Sequence, residues 1–334
     1  MRMLYVGDDW VGSNARSLAD AFRQAGHEVI VVDTTAASLP GRLTPAWWYA
    51  KSTGRRAPWT HRVLHARIDQ VAKDFRPDVL FAFKGVYLNQ RRLLDVPCGL
   101  RVHYSPDDVA NPTTTSAEYL ALEREWDLVV TTKRHNVAEL SARGARRVLF
   151  VPSAYDPAWH RPCARRAART ALVGFVGARR PDRSALMVEL ARAYGGDLLL
   201  RGPGWWKAPG LRGTGADVGG PVYGDHFSAA VAGVAANLVL LNSDNRDTHT
   251  CRSFEIPAAG GLFVGERTDE HQEMLDEGTQ ALMFTGREEL RAAVDWVRDH
   301  PDAAAKIAEA GHRRVTAGRH TYRDRAEEIL RALA

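Results

Sequence analysis

The chain has 334 residues, 45% of them hydrophobic, enough to bury two ordinary cores. Its formal charge of +5 is mild and almost all of its cations are arginines, with no dense basic run interleaved with aromatics of the kind nucleic acid demands. Cys98, Cys163 and Cys251 are odd in number and scattered, which excludes a disulfide framework or a zinc spacing and points to a reducing, cytoplasmic setting.

The opening MRMLYVGDD turns acidic too early for a signal peptide. No apolar stretch approaches the ~20 residues a membrane helix needs, so no integral membrane segment is expected. Residues 3–6 form a short apolar strand closed by Gly7. Gly12 and Ser13 open a helix whose apolar positions Leu18, Ala21, Phe22 and Ala25 recur at helical spacing until Gly26. A second buried-type strand covers 27–33, which completes a βαβ unit and implies a doubly wound α/β fold. The first loop places Asp8 and Asp9 between Gly7 and Gly12. Acidic residues there repel a pyrophosphate, which argues against NAD.

Residues 34–62 break the alternation. They hold Trp47, Trp48, Tyr49 and Trp59 together with Lys51, Arg55 and Arg56. Such a stretch is either an aromatic-lined acceptor site or a helix packing its tryptophans on the core. His61, His65 and Asp69 share a helical face whose spacing could hold a metal, but no further ligand is in sight and a solvated helix face is the better explanation. Strands resume at 78–83, 100–104, 127–132 and 147–151, giving the first half about six, with a helix at 134–142 ending at Gly144. The Pro-, Ala- and Arg-rich residues 156–170 are the expected interdomain linker.

A second doubly wound half begins with a strand at 171–176. Arg179 and Arg180 occupy the turn after it, followed by a helix at 182–194 and a strand at 197–200. After GPVYGDHF come a helix at 228–235 and a strand at 237–241. That strand enters the loop NSDNRDTHT and a short helix stopped by Gly260 and Gly261. A strand at 281–284 and helices at 288–299, 302–310 and 322–333 complete the chain.

The loop and helix start at 242–255 carry the chemistry. Loops at the carboxyl ends of parallel strands are where ligands sit, and a helix N-terminus offers unpaired N–H groups to an anion. Thr248, His249, Thr250, Cys251 and Arg252 lie where they can hold a diphosphate, and Thr248 or Thr250 can equally serve as a plain N-cap. Arg179 and Arg180 can meet phosphate oxygens in a fork or stand exposed on a helix shoulder. Glu255 lies among Phe254, Ile256, Pro257 and Ala258. A carboxylate buried there costs several kcal/mol unless donors reach it, and ribose hydroxyls supply two.

The run TCRSFEIPAAGGLFVGERTDEHQEMLDEGTQALMF and the tail HRRVTAGRHTYRDRAEEIL resemble the C-terminal domain of the CgeB-like glycosyltransferases, part of the wider GT-B group that includes the family 4 type. HYSPDD at 103–108 and VVTTKRHNVAEL with GARRVLFVPSAYDP are similar to the same family's N-terminal half. The resemblance covers residues 34–75 and 203–219 worst. It implies a GT-B architecture of two Rossmann-like domains facing a cleft: 1–155 binding the acceptor, 171–317 binding the nucleotide sugar, and a C-terminal segment, 318–334, packing back on the first domain.

By that resemblance Glu255 binds the donor ribose, and Arg179, Arg180 and Arg252 face the diphosphate. Tyr223 lies where the base is approached, and Gly12 and Ser13 match a flexible loop near the transferred sugar. Asp247 stands where related retaining enzymes carry a first acidic residue facing the sugar, usually Glu, and Asp244 competes for that role. His103 with Asp107 or Asp108 flanks the acceptor. The implied reaction moves a hexose-type sugar from a nucleotide diphosphate sugar (UDP, GDP or dTDP) to a hydroxyl of a small molecule or glycan, without a metal. If it inverts, Asp107, Asp108 or His103 is the base; if it retains, the leaving phosphate takes the proton. A nucleotide-sugar epimerase or hydrolase, and a noncatalytic sugar-nucleotide-binding protein, are the rival readings.

Overall fold

The computed structural model describes residues 1–35, 44–53, 57–163 and 170–334. Arg55, Arg56 and the part of the expected linker at 164–169 lie outside the described residues. Met3, Leu4, Tyr5 and Val6 are wholly buried, which makes β1 (Arg2–Gly7) a strand covered on both faces, as a continuous apolar run requires. α1 (Asn14–Gln24) begins where the Ser13 hydroxyl accepts from Ala15 N at 3.2 Å. Then come β2 (Glu28–Asp33), α2 (Pro45–Thr53), α3 (Pro58–Phe75), β3 (Val79–Phe83), α4 (Gln90–Leu94) and β4 (Leu100–Ser105). α5 (Ala117–Leu122), β5 (Leu128–Thr131), α6 (Arg134–Ala142) and β6 (Val148–Phe150) follow. The six strands are parallel in the order β2-β1-β3-β4-β5-β6.

The second sheet starts with β7 (Ala171–Val176), followed by α7 (Pro181–Tyr194), β8 (Leu198–Arg201), β9 (Asp217–Gly219) and α8 (Asp225–Ala232). β10 (Val234–Val239), α9 (Cys251–Ala258), β11 (Phe263–Glu266), α10 (Asp269–Met274) and β12 (Leu282–Phe284) complete its layers. α11 (Arg287–Asp299), α12 (Pro301–Ala317) and α13 (Tyr322–Leu333) end the chain. Its order is β12-β11-β10-β7-β8-β9, again all parallel. The contacts divide the chain into one unit of residues 1–152 with 322–334 and a second of residues 153–321. α13 packs against α1 within the first unit.

Four local differences from the sequence-based expectation have physical causes. The stretch expected to be irregular carries α2 and the start of α3, with Pro58 at the first turn of the latter, where its missing N–H is no loss. α8 and β10 lie about three residues earlier than expected, because Val234 packs directly over Gly174 and draws the alanines beside it into the sheet. β9 adds a short edge strand beside β8. α12 runs on past residue 310 through Gly311, whose missing side chain lets the Gln280 carbonyl approach: a Cβ there would sit 2.3 Å from that oxygen.

Gly311→Ala sets two effects against each other. Alanine is the better helix former by about 1 kcal/mol, but the backbone contact must shift to admit it. The contact wins, and a thermal melt is expected to show the midpoint lowered by several degrees.

Candidate active site

The chain leaves β7 toward β8 and β9, then returns to place β10 on the other side of β7. The loops following β7 and β10 therefore diverge at a topological switch point, the place where such sheets bind ligands. Arg180 forms an ion pair with Asp244 across that point. Arg183, from the first turn of α7, donates to the Asn242 side-chain oxygen at 2.6 Å and to Leu241 O at 3.2 Å. Burial holds the Arg183 pKa below its ordinary value, opposed by Asp182. Asp247 staples the loop to itself: one oxygen accepts from Asn242 N at 3.1 Å and Asn242 Nδ2 at 2.6 Å, the other from Asn245 Nδ2 at 2.8 Å. Its geometry is that of a loop organiser. Arg246 adopts the left-handed conformation, with φ at 44°.

The amino end of α9 is fixed from behind by histidines. Ser253 Oγ accepts from Thr250 N at 3.0 Å and lies 2.8 Å from His271 Nε2. His271 Nδ1 is 2.6 Å from Glu266 O. A carbonyl only accepts, so Nδ1 carries the proton, Nε2 is the acceptor, and Ser253 donates to it. His249 Nε2 accepts from Ser153 N at 3.0 Å, which leaves its Nδ1 to donate to Glu270. This corrects the expectation for His249: at 3% exposure and with both nitrogens engaged, it faces the core and not a diphosphate. Thr250 forms a reciprocal capping box with Ser253 at the start of α9, while the Thr248 hydroxyl is shielded from solvent and makes no hydrogen bond. The Nε atoms of Arg179 and Arg180 are in the same condition. Shielded donors on the loops that lead into α7 and α9 suit an anion.

Glu255 lies one turn into α9 at 2% exposure. Arg252 forms an ion pair with it, donates from Nε to Val176 O at 3.0 Å, and stacks 4.6 Å from the centre of the Phe227 ring. His160 approaches from the other side, Nε2 to Oε1, at 3.6 Å. Its Nδ1 accepts from Asp156 N at 3.0 Å, so the proton is on the nitrogen that faces Glu255. Burial first, and Arg252 second, lower the His160 pKa to about 3. His160, His271 and Glu266 escaped the sequence reading. His160 lies in a turn among linker residues, and nothing in its neighbours' identity announces a carboxylate partner. Glu266 ends β11, accepts from Leu241 N at 2.8 Å, and has its pKa raised by burial. Tyr223 is 43% exposed, and its carbonyl accepts from His226 N at 3.2 Å where α8 begins. Cys251 opens α9, partly buried.

In the first unit the expected acceptor residues separate. His103 is 1% exposed, donates from Nε2 to Lys84 O at 2.7 Å, and packs on Tyr119 and Trp126. Burial lowers its pKa to about 4. Asp108 is 2% exposed and uses one oxygen to accept from Asn136 Nδ2 and Ala110 N, each at 2.9 Å. Enclosure gives both of them structural work in place of the base role expected of them. Asp107 keeps 23% of its side chain exposed and pairs with Lys84 Nζ at 2.8 Å. Lys84 is itself left-handed, φ 62°, its N–H donating to Tyr104 O at 2.8 Å. Gly12, at φ 92°, precedes Ser13, which caps α1 and also donates to Asp8 O at 3.3 Å. His65 Nε2 accepts from Asn89 N and Asp69 pairs with Arg92, so both are engaged away from a metal. Among the described residues there is no group of three or more His, Cys, Asp or Glu that could hold one.

Residues 179–331 match the family model described as glycosyl transferase-like. A comparison with curated proteins gave no match. Among solved structures, sucrose-phosphate synthase from Thermosynechococcus elongatus is similar at 14% identity over 100% of this chain and 98% of that one, with a TM-score of 0.72. HepE from Anabaena, in complex with UDP and glucose, is similar at 14% identity over 100% and 99%, with a TM-score of 0.67. A glycosyltransferase from Rickettsia africae is similar at 12% identity over 99% and 97%, with a TM-score of 0.65. At such identities they show the fold, and it is the GT-B fold of two parallel six-stranded sheets with flanking helices.

The buried neutral histidines make stability pH-dependent. A histidine whose folded pKa lies below its unfolded value of about 6.5 leaves stability unaffected above that value. As pH falls, the unfolded chain takes up the proton first, and stability drops until the folded value is reached. For His271 that value is about 4, again through burial. Urea unfolding between pH 6.5 and 4 is expected to lose about 1.4 kcal/mol per pH unit through His271. His271→Gln is expected to reduce the slope by about one proton; an unchanged slope would show that His271 is not held neutral.

Proposed function

We propose that the chain is a glycosyltransferase of CgeB-like type, moving a hexose from a nucleotide diphosphate sugar to a hydroxyl acceptor without a protein-held metal. One observation carries the reading. Arg179 and Thr248, on the loops that follow β7 and β10, carry shielded donors without hydrogen-bond partners, and the buried Glu255 lies one turn into α9. A diphosphate presents acceptor oxygens to those donors, and the attached ribose presents hydroxyls to the carboxylate. The family match over residues 179–331 supports this assignment. UDP is the first nucleotide to try, because HepE has been solved with UDP and with UDP-glucose.

In the proposed reaction the bond from the anomeric carbon to the diphosphate breaks, and its electron pair leaves with the phosphate oxygen. Fixed guanidinium groups and the α9 N-terminus stabilise that charge as it develops. The acceptor hydroxyl oxygen bonds to the anomeric carbon. We assign acceptor binding to the first unit, where Asp107 is the accessible carboxylate of HYSPDD. In an inverting course Asp107 takes the hydroxyl proton; in a retaining course the leaving phosphate takes it.

A thermal-shift series with UDP, GDP, dTDP, CDP and NAD, in the presence of EDTA, tests the donor site. One nucleotide diphosphate at 100 times its dissociation constant is expected to add about 2.7 kcal/mol of stability. Silence toward all of the nucleotides would sink the assignment. Glu255→Ala is expected to abolish most of the shift, and Glu255→Gln, which keeps the volume, to retain the fold and part of the shift.

Asp107→Asn tests the proton's destination. As a general base, Asp107 is worth about 10²–10⁴-fold in transfer rate, with the acidic limb of the pH–rate profile lost and the nucleotide shift unchanged. Near-normal transfer by this variant would assign the proton to the leaving phosphate.

A further inference from the structure

Between Asp33 and Asp69 the sequence contains six basic side chains and no acidic one. The whole chain has a formal charge of only +5, so outside this stretch it is close to neutral. The same stretch holds Trp47, Trp48 and Trp59. A second acid-free stretch, between Asp156 and Asp182, also carries six basic side chains but a single tryptophan, Trp159. In the first stretch the positive excess and the aromatics coincide.

Of these, the structure describes Lys51, Arg62, Arg67 and the three tryptophans, on α2 and α3 of the first unit. On α2, Trp47 and Trp48 meet edge to face at 4.7 Å, and Lys51 Nζ lies over Trp47 at 4.7 Å and over Trp48 at 6.0 Å. Tyr49 of α2 contacts Trp59 of α3 at 5.5 Å, linking the two helices. α3 turns Leu64, Ile68, Val71 and Phe75 into the core. Its outer face, however, is not simply polar: Trp59 is 44% and Val63 63% exposed, one turn apart, and Trp48 on α2 is 53% exposed. Arg62 and Arg67 are exposed beside them. Single exposed apolar residues need no explanation, but a group of large ones set among unopposed cations does.

We propose that this face, formed by Trp48, Lys51, Trp59, Arg62 and Val63, docks the first unit peripherally on an anionic lipid surface. Tryptophan is the side chain that prefers the head-group level, its ring in the apolar layer and its N–H toward water. Lysine and arginine lay their stems on apolar groups and keep their charges at the anionic heads. Val63 favours this partner over a nucleic acid, since an exposed aliphatic offers nothing to stack a base on or to bind a phosphate. A second copy of the chain is disfavoured because a two-fold contact would set the same unopposed cations against themselves. Among the described residues no helix is long and apolar enough to cross a membrane, so the contact lies on the surface. This inference stands independently of the donor site, which belongs to the second unit.

The test is sedimentation of the full chain with phosphatidylcholine vesicles, with and without phosphatidylglycerol, at low and high salt. Binding to the anionic vesicles, weakened by salt, with the tryptophan emission shifted to the blue, is expected. The pair Lys51→Glu and Arg62→Glu is expected to weaken it about tenfold or more. The pair Trp48→Ser and Val63→Ser is expected to remove the blue shift. Both pairs lie at exposed positions and should leave the melting midpoint and the nucleotide shift unchanged. Equal binding to neutral vesicles, no binding to either kind, concentration-dependent dimers weakened by the same substitutions, or preference for a competing oligonucleotide would each overturn the proposal.

Discussion

Burying the Glu255 carboxylate at 2% exposure sets the terms for everything around it. An ionised carboxylate removed from water needs a counter-charge and donors, or it destabilises the unit by several kcal/mol. Arg252 supplies the charge from the same helix, one turn earlier. It is not free to wander, since its Nε donates to Val176 O at the end of β7 and its plane lies on Phe227. The pair thus ties α9 to the strand at the centre of the sheet. His160 faces the carboxylate from the segment before β7, with its proton on the near nitrogen. Removing either partner would leave the other half-buried and unpaired, so the pair fixes the position of the helix as firmly as its apolar face does.

Histidine serves this unit as a fixed hydrogen-bond part and not as a titrating group. His160 and His271 are pushed well below their ordinary pKa by burial, to about 3 and about 4. His271 uses one nitrogen to accept and the other to donate, and His160 accepts from Asp156 N, which only a neutral ring can do. The consequence at the helix start is specific. His271 holds Ser253, Ser253 and Thr250 cap the helix reciprocally, and the Thr248 hydroxyl is left without a partner. Local demands are met from the core side, so the outward donors stay available.

The alternation of apolar runs with Gly-stopped helical segments made both sheets legible in the sequence. Parallel strands buried on two faces cannot be polar, and their helices need a stop before the next strand. Glu255 was legible for a related reason: a lone carboxylate in an apolar phrase requires donors. His160 and His271 were not, because their partners come from distant parts of the chain and no local pattern encodes that meeting. His103 misled by its neighbourhood. HYSPDD reads as a polar strand end, yet the strand's alternation turns the histidine inward onto Tyr119 and Trp126, where its work is to hold the Lys84 carbonyl. The tryptophan stretch looked irregular because Gly54 and Pro58 interrupt its period, although Pro58 opens α3.

The two units use one topology with opposite electrostatics. In the first, the chain also reverses beside its first strand, and the loop there carries Asp8 and Asp9. Thr34 donates to Asp8 at 2.6 Å, and Asp33 accepts from the backbone N–H groups of Asp9 and Thr35 at 3.1 and 2.8 Å. The donors that an anion would use are consumed by the protein's own carboxylates. Burial raises the Asp9 pKa, opposed by Arg16 and Arg23. In the second unit the equivalent turn presents Arg179 and Arg180, with donors to spare. Doubling a fold doubles the number of switch points, but charge decides which of them can take a diphosphate.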